Sequence, residues 1–244
     1  MSFGNINIPN NGLTGEMIMS LVVMAIMLIL CIVIAIASRK TDPFKKPKGI
    51  MFLAEFYVDF IDNMVVNNMG PQFKKIAPYF GFLCMYIFLC FIIGMLGFPA
   101  PLTYYLIPFI LALISFLAIH ITSMIYTKFK YFKRFIEPLP FFLPINMLSM
   151  WSPLLSLSFR LFGNALSGWI LMGLLYDALM GLSNMIFKLP FFIAPVVAPI
   201  LHAYFDVFSG FIQTTVFVFL TMLFVSNEVP EGYIYKQQTV KNLA

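Results

Sequence analysis

The chain has 244 residues, of which 61% are hydrophobic and 10% are charged, and its formal net charge is +5. Soluble domains carry about 25% charged residues, and a globular surface needs polar cover that this composition cannot supply. The composition therefore excludes an ordinary soluble domain and predicts a membrane protein. The lysines and arginines cluster in short segments between apolar runs, which is typical of orientation signals beside membrane spans. No further feature supports a nucleic-acid partner.

The first apolar run, residues 17–38, is long enough to cross a hydrocarbon layer about 30 Å thick at about 1.5 Å per helical residue. No lysine or arginine precedes this run, whereas five follow it closely: Arg39, Lys40, Lys45, Lys46 and Lys48. The positive-inside rule therefore predicts an external N-terminus and a cytoplasmic segment after the span. The polar leader contains no basic residue, which argues against a cleavable signal peptide.

Residues 50–69 interleave apolar side chains with acidic ones. Glu55, Asp59 and Asp62 are spaced i, i+4 and i+7, so they share one face of a helix. This pattern predicts an amphipathic helix lying on the cytoplasmic surface of the membrane. The acidic stripe can equally be a surface for a partner, and both interpretations stay open.

Residues 79–126 contain two further spans, joined by a tight turn at residues 98–101, which read FPAP. Such a short connection predicts an antiparallel hairpin. Lys74 and Lys75 precede the hairpin and a basic cluster at residues 128–134 follows it. Both open ends of the hairpin are therefore expected on the cytoplasmic side.

Residues 139–226 differ from the preceding spans because their apolar stretches are longer and contain isolated charges. The first stretch, residues 141–182, includes Arg160 and Asp177, and the second, residues 189–225, includes His202 and Asp206. A helix over residues 146–182 would be about 55 Å long, so it must tilt steeply or bend to fit the bilayer. An external turn is expected at residues 183–188.

The predicted fold class is all-α, a polytopic membrane protein with a single membrane domain over residues 1–244. It comprises three ordinary transmembrane helices, one amphipathic helix on the cytoplasmic surface and a hairpin of two long, tilted membrane helices. Cys31, Cys84 and Cys90 lie inside apolar runs without the spacing of metal ligands. They are interpreted as hydrophobic fillers, so no disulfide, metal or cofactor is expected.

Arg160 lies far from the basic flanks of its apolar stretch. An arginine in mid-membrane costs about 2.5–3.5 kcal/mol on insertion scales, and a guanidinium stays protonated in proteins. Three polar residues share its helical face, at i−4, i+4 and i+7: Ser156, Asn164 and Ser167. Gly163 and Gly168 would let another helix approach closely. These features favour a fixed positive charge beside an ion path, and a snorkelling or structurally paired arginine is the alternative.

A second polar stripe follows the last apolar stretch at i, i+4, i+7 and i+11: His202, Asp206, Ser209 and Gln213. Two such faces on neighbouring helices can hydrogen-bond each other or line a water-filled crevice. In a crevice Asp206 can titrate, and His202 one turn away is a second proton carrier near physiological pH. Asp177 lies about 25 Å from Arg160 along the first helix, towards its external end, where it can simply be solvated.

Around Arg160 the sequence resembles a known family. Residues 156–164 read SLSFRLFGN, followed by Gly168, and this string closely resembles the signature of subunit a of F-type ATP synthases. Pro144-Ile145-Asn146 is similar to an upstream Pro-Ile-Asn segment of that family, and Phe211-Ile212-Gln213, followed by Phe217 to Leu220, is similar to its final helix. The resemblance extends from about residue 20 to about residue 226.

The resemblance implies a proton-conducting stator subunit. Two offset aqueous half-channels would meet a ring of small hairpin subunits, and Arg160 would stand between them. It would draw each arriving ring carboxylate into its charged form and block a direct leak, since a permanent cation cannot relay a proton. Gln213 would pack opposite Arg160, Asn164 would belong to the same cluster, and Asp206 would line the external half-channel.

The sequence departs from the family at three positions. Trp169 replaces the Glu or His that relatives pair with the position of Asp206, Ser149 stands where many bacterial members have Glu, and Tyr104 replaces a common acidic or amide residue. The external half-channel would therefore contain fewer titratable groups than usual. Asp177, His202 or water would have to substitute for the missing partner.

The resemblance also implies partners and a location. The expected partners are the ring of c subunits, the b subunits of the peripheral stalk, the remaining F1Fo complex and membrane lipid. The expected location is a bacterial plasma membrane, with the N-terminus outside and the C-terminus inside, and the mitochondrial inner membrane is the alternative.

Three other classes of protein compete with this interpretation. A secondary transporter would show inverted repeats, and none is apparent in the sequence. A structural scaffold without an ion path would leave the cost of Arg160 unexplained. An independent enzyme is disfavoured because the sequence has no nucleotide-binding loop and no nucleophile constellation. Nucleotide chemistry is therefore expected in partner subunits.

Overall fold

The computed structural model describes residues 14–40, 49–128, 141, 143–187 and 194–230. Within these ranges the regular structure is helical and includes no β-strand, so the predicted all-α class is confirmed. Several predicted features lie outside the described residues. They are the polar leader up to residue 13, the basic segments at 41–48 and 129–140, and the C-terminal segment from residue 231.

Four helices precede the region that contains Arg160. They are α1 (Gly15–Lys40), α2 (Ile50–Met69), α3 (Ala77–Met95) and α4 (Leu106–Thr127). Short 3₁₀ turns at Pro71–Ile76 and Pro101–Thr103 precede α3 and α4. Each turn starts with proline, which suits a helical N-terminus because the missing N–H would have no partner there. The bounds of α2 are those predicted for the amphipathic helix.

Two glycines allow the chain to change direction between these helices. Gly70, between α2 and the first 3₁₀ turn, has a φ of 96°, and Gly97, after α3, has a φ of 85°. Side chains with a Cβ rarely adopt such values, so other residues would strain the backbone at both positions. These glycines set where α2 ends and where the hairpin of α3 and α4 turns.

The helix that contains Arg160 is the longest in the described part of the chain. It is α5, Leu143–Phe187, with 45 residues and Pro153 inside it. At about 1.5 Å per residue it extends for about 67 Å, roughly twice the thickness of the hydrocarbon layer. The predicted turn at residues 183–188 is wrong up to Phe187, because the helix continues through them. Ser183 and Asn184 cost a helix little, and Ser183 is fully buried.

The last membrane segment is composed of three consecutive helical pieces. Helix α6 (Ala194–His202) continues into a π-helix, Ala203–Phe208, which is followed by α7 (Ser209–Asn227). Pro199 lies inside α6, where it cannot donate to the carbonyl four residues earlier. The wider π turns begin four residues after this proline. The second of the two predicted long helices therefore contains a π insertion, which the sequence analysis did not predict.

Five stretches of the described chain are long and apolar enough to cross a membrane: Gly15–Arg39, Pro71–Met95, Leu106–Thr127, Leu143–Ile186 and Val197–Asn227. The first three have 22 to 25 residues, whereas the last two have 44 and 31. The three ordinary spans followed by two longer ones match the prediction. The protein is a multi-pass membrane protein.

The chain divides into two compact units. The first consists of the described parts of Met1–Val33, Cys84–Pro108 and Arg160–Thr215. Inside it, Ser20 Oγ of α1 and Tyr86 Oη of α3 share a hydrogen bond of 2.6 Å. The rings of Phe88 and Phe211 meet edge to face with centroids 6.5 Å apart, so α7 packs against α3.

The second unit consists of the described parts of Ile34–Leu83, Phe109–Phe159 and Val216–Ala244. Here the hydroxyl of Tyr57 in α2 donates to the carbonyl of Gly81 in α3 at 2.7 Å. Tyr79 of α3 and Ser115 of α4 share a hydrogen bond of 3.0 Å. Paired polar groups of this sort let apolar helices associate without leaving a buried hydroxyl unsatisfied.

Candidate functional site

One face of α5 carries the arginine that the sequence singles out. Arg160 and Asp177 are the two charged residues of α5, and Arg160 is half-buried. Gly163, Asn164 and Ser167 follow at i+3, i+4 and i+7, and all three are exposed. A helix face that combines a cation, small residues and exposed polar groups is unusual in an apolar segment.

The close helix approach predicted at Gly163 and Gly168 is not made by the described part of this chain. A Cβ added at either glycine would meet no atom within 4 Å. The tight approach occurs instead at Gly210 of α7, where an added Cβ would lie 2.8 Å from Cβ of Phe91 in α3. Gly210 therefore lets α7 come close to α3, three residues before Gln213.

Asn164 and Gln213 connect the arginine-bearing helix to α7. The Nδ2 amide of Asn164 donates a hydrogen bond to Oε1 of Gln213. Asn164 is exposed, whereas Gln213 is only 2% exposed. The Nε2 amide of Gln213 is buried and has no hydrogen-bond partner among the described residues. The predicted association of the two polar faces is therefore made at this pair.

A second contact joins α5 to the segment before α7. Tyr176 Oη lies 2.8 Å from Nε2 of His202, and Nδ1 of His202 lies 2.5 Å from Oδ2 of Asp206. The side chains of His202 and Asp206 are 22% and 20% exposed. Three hydrogen-bonding side chains thus form a continuous chain from α5 to the π-helix.

The π-helix changes the spacing of the polar residues that the sequence placed on one stripe. Asp206 lies within the π turns and Gln213 lies in the regular helix that follows. A π turn contains about one more residue than an α turn, so it rotates the residues before it relative to those after it. The π turns therefore alter the register that a regular helix would give Asp206 relative to Gln213. Such insertions occur frequently at functional sites.

The structure brings together most of the residues proposed from the sequence. Asn164 meets Gln213, and His202 meets Asp206. Asp177 is exposed and takes no part in the hydrogen-bond chain of His202. Whether Asp177 replaces the partner that Trp169 removes stays a prediction.

Tyr176 is the site residue that sequence reasoning missed. It lies seven residues after Trp169, two helical turns further along nearly the same face of α5. Trp169 itself is 64% exposed. The spacing from Trp169 was the available signal, since a hydroxyl two turns along this face can reach the segment that carries Asp206. A tyrosine in an apolar helix is ordinarily interpreted as an interfacial or packing residue, so the sequence alone did not indicate a role for Tyr176.

No group of three His, Cys, Asp or Glu side chains that could hold a metal ion occurs among the residues searched, which are the described ones. The contact between Asn164 and Gln213 joins two amides, whereas the contact of Tyr176, His202 and Asp206 contains titratable groups. Titratable side chains inside membrane helices are characteristic of proton and ion pathways. Fold and site together define a class, a polytopic membrane protein with polar and titratable groups inside its membrane helices.

Comparison with known proteins identifies the family. The family model described as ATP synthase A chain matches residues 17–226. ATP synthase subunit a of Mycoplasma pneumoniae is 33% identical over 216 residues, which cover 82% of this chain and 74% of that protein. The Mycoplasma genitalium protein of the same description is 29% identical over 224 residues, or 85% of this chain and 77% of that protein. The Propionigenium modestum protein described as ATP synthase subunit a, sodium ion specific, is 28% identical over 227 residues, or 85% of this chain and 72% of that protein.

The chain belongs to the family of ATP synthase subunit a. It is a membrane stator subunit of an F-type ATP synthase and associates with the rest of that complex. The resemblance inferred from the residues around Arg160 is thereby confirmed.

Proposed function

We propose that this subunit provides two proton half-channels against the rotating ring of c subunits, with Arg160 separating them. The observation that carries the proposal is the position of Arg160 within the 45 residues of α5, a largely apolar helix in which Asp177 is the other charged residue. One turn further on, Asn164 is hydrogen-bonded to Gln213 of α7. A permanent cation at this place favours the charged form of a nearby ring carboxylate and cannot itself relay a proton.

The exposed face of α5 supports a ring of c subunits as the partner of this helix. Gly163, Asn164 and Ser167 are exposed on the side of Arg160, and space is open around Gly163 and Gly168. Small residues on a membrane helix let the backbone of another helix approach closely. We assign this face to the ring, and we expect further contacts of the subunit with the b subunits of the peripheral stalk.

The titratable chain at Asp206 supports the external half-channel. His202 and Asp206 are both partly exposed, and under this proposal water of the half-channel reaches them. Imidazole and carboxylate groups can exchange protons with that water. The subunit itself is non-catalytic under this proposal, and nucleotide chemistry takes place in partner subunits.

A sodium-conducting stator is the second candidate, because the Propionigenium modestum relative is described as sodium ion specific. Sodium prefers oxygen ligands, whereas a histidine is suited to carry protons. The presence of His202 between Tyr176 and Asp206 therefore favours protons. ATP-driven uptake of radioactive sodium into inverted vesicles, measured with and without a protonophore, distinguishes the two ions.

Substitution of Arg160 tests the proposed function. Arg160→Ala should reduce ATP-driven acidification of inverted vesicles by about a hundredfold or more, the effect of removing a preorganised electrostatic group. It should also increase passive proton leak, because nothing then separates the half-channels. Arg160→Lys should also lose coupled pumping, since a compact ammonium can lose its proton when buried.

The control for this experiment is Arg39→Ala, which removes an exposed arginine near the end of α1. That variant should pump normally, and every variant must still co-purify with the ring. If an assembled Arg160→Ala complex pumps at a near-normal rate, the proposed function is wrong. If Arg160→Lys pumps well and Arg160→Ala fails to assemble, the arginine has a structural role only.

The expected orientation places the N-terminus outside and the C-terminus inside a bacterial plasma membrane, from the distribution of basic residues. We expect an impermeant maleimide added outside intact cells to label Asn10→Cys and to leave Lys130→Cys unlabelled. The background should have the 3 native cysteines replaced by alanine. Labelling of Lys130→Cys without Asn10→Cys would reverse the assigned topology.

A further inference from the structure

The contact between Tyr176, His202 and Asp206 restricts how protons can be arranged on the histidine ring. Both ring nitrogens of His202 have a partner, the Tyr176 hydroxyl at Nε2 and the Asp206 carboxylate at Nδ1. An ionised carboxylate only accepts hydrogen bonds, so Nδ1 must carry a hydrogen and donate it. In the neutral ring Nε2 is then an acceptor, and the tyrosine hydroxyl donates to it.

We propose that these three side chains form a store for one proton, with His202 as the group that is protonated and Tyr176 as the residue through which the proton arrives. The inference rests on the proposed function, which it deepens by naming the groups that hold the proton. Asp206 acts as a positioning residue, because it fixes the tautomer and the orientation of the ring, whereas Tyr176 relays the proton.

The transfer moves hydrogens along the existing hydrogen bond between Tyr176 and His202. Tyr176 passes its hydroxyl hydrogen to Nε2 of His202, and its oxygen takes a hydrogen from hydronium, which becomes water. The ring is then an imidazolium, the phenol is unchanged, and Nε2–H donates back to the tyrosine oxygen. Release follows the same steps in reverse.

The charge of the cluster favours this arrangement. Before uptake the three side chains carry one negative charge, on Asp206, and after uptake the imidazolium and the carboxylate form a neutral pair. A partly buried site in a membrane helix holds a neutral pair at lower cost than an isolated charge. Asp177, the neighbouring carboxylate on α5, is exposed and outside the hydrogen-bond chain.

Tyr176 also explains how the site can work with Trp169. At position 169 the chain has an indole ring, 64% exposed, whose N–H can donate a hydrogen bond but which, unlike a Glu or His, can neither accept one nor take up a proton. The hydroxyl of Tyr176 reaches the same segment two turns further along α5 and binds His202 rather than Asp206. The hydrogen-bonding residue on α5 is therefore Tyr176 in place of a residue at position 169, and the side chain it contacts is His202 in place of Asp206.

The tautomer of His202 can be read directly by nitrogen NMR. The full-length chain in lipid nanodiscs, labelled with ¹⁵N-histidine, contains 2 histidines, and His120→Gln assigns the signals. We expect neutral His202 to carry its hydrogen on Nδ1. Asp206→Leu removes the acceptor and should shift the ring to the Nε2–H form. Tyr176→Phe should keep the Nδ1–H form but move the Nε2 signal towards that of an unbonded acceptor.

Proton pumping by the whole complex provides the functional readout. Tyr176→Phe should lower ATP-driven acidification by roughly two- to tenfold, the factor that corresponds to one lost hydrogen bond. The matched control is Tyr204→Phe, which removes the hydroxyl of an exposed tyrosine in the π-helix and should pump like the wild type. Co-purification with the ring checks that both variants assemble.

Failure of this inference differs from failure of the proposed function. An Nε2–H tautomer in the wild-type chain overturns the proton store whatever the complex transports. So does a Tyr176→Phe complex that pumps as well as Tyr204→Phe while Arg160→Ala still abolishes pumping. Normal pumping by Arg160→Ala would instead contradict the proposed function, and the NMR measurement would still decide how the ring of His202 is held.

Discussion

Two hydrogen-bonded contacts extend from α5, and they differ in chemistry and in burial. The first joins Asn164 to Gln213, and the second joins Tyr176 to His202 and Asp206. Amides do not titrate in the physiological range, whereas imidazole and carboxylate groups do. Gln213 is 2% exposed, but the side chains of His202 and Asp206 are 22% and 20% exposed. The first contact is therefore suited to fix a geometry, and the second is suited to exchange protons with water.

The two contacts lie at different places along α5 and have different roles under the proposed function. Asn164 and Tyr176 are twelve positions apart, about 18 Å along α5. Under the proposed function, the part near Arg160 is a barrier and the part near Tyr176 takes up protons. A barrier must not contain a group that relays protons, and an uptake site must contain one. The two contacts meet these opposite requirements with the residues that each contains.

The largest effect that would sharpen this contrast is expected from Asp206→Asn. An asparagine can still accept from His202 Nδ1–H, but it provides no negative charge to offset an imidazolium. A nearby opposite charge changes proton affinity by about tenfold or more, so ATP-driven acidification should fall at least about tenfold. Proton pumping and passive flux in inverted vesicles measure the loss.

Asp177→Asn is the matched control, because it neutralises the other carboxylate in this region at an exposed position of α5. Its effect should stay within about twofold, as for most substitutions on an exposed surface. Equal losses in the two variants would mean that general negative charge, and not the contact with His202, matters. Full pumping by Asp206→Asn would remove that residue from the pathway.

Much of the architecture could be predicted from the sequence because apolar length and basic flanks are direct consequences of the bilayer. The bounds of α2 were predicted correctly, and so were the three ordinary spans and the two longer ones. The end of α5 was placed too early, because polar residues such as Ser183 and Asn184 suggest a turn. A helix continues through such residues at small cost, and here Ser183 is fully buried whereas Asn184 is exposed.

The charged residues of the candidate site could be predicted from the sequence, and its uncharged residues could be predicted less readily. Arg160 and Asp206 are conspicuous in apolar helices because their insertion carries a large cost. Tyr176 carries no such signal, since tyrosine is a common residue of membrane proteins. The π turns at Ala203–Phe208 were also missed, because their position depends on how the segment packs and no sequence motif marks them. Register between neighbouring helices is a property of the folded chain.

A smaller effect, on the stability of the complex, is expected at the contact between Asn164 and Gln213, and its size depends on which partner is changed. Asn164→Leu leaves the buried amide of Gln213 without the hydrogen bond that Asn164 donates. A buried amide that loses its partner costs about 1–3 kcal/mol. Asn164→Leu should therefore lower the temperature at which the solubilised complex loses this subunit.

Gln213→Leu breaks the same hydrogen bond from the buried side, yet it should leave stability nearly unchanged. The bond itself contributes about 0.5–1.5 kcal/mol. Its loss is offset because the substitution also removes Nε2, which is buried without a partner among the described residues. Asn164 is exposed and can bind water or another polar group instead. If Gln213 serves to hold the geometry near Arg160, coupled pumping should fall in Gln213→Leu even though the complex stays intact. The opposite outcome is a large loss of stability in Gln213→Leu with normal pumping by the complexes that remain. It would mean that the contact serves packing only, and the contrast between the two parts of α5 would then rest on Arg160 alone.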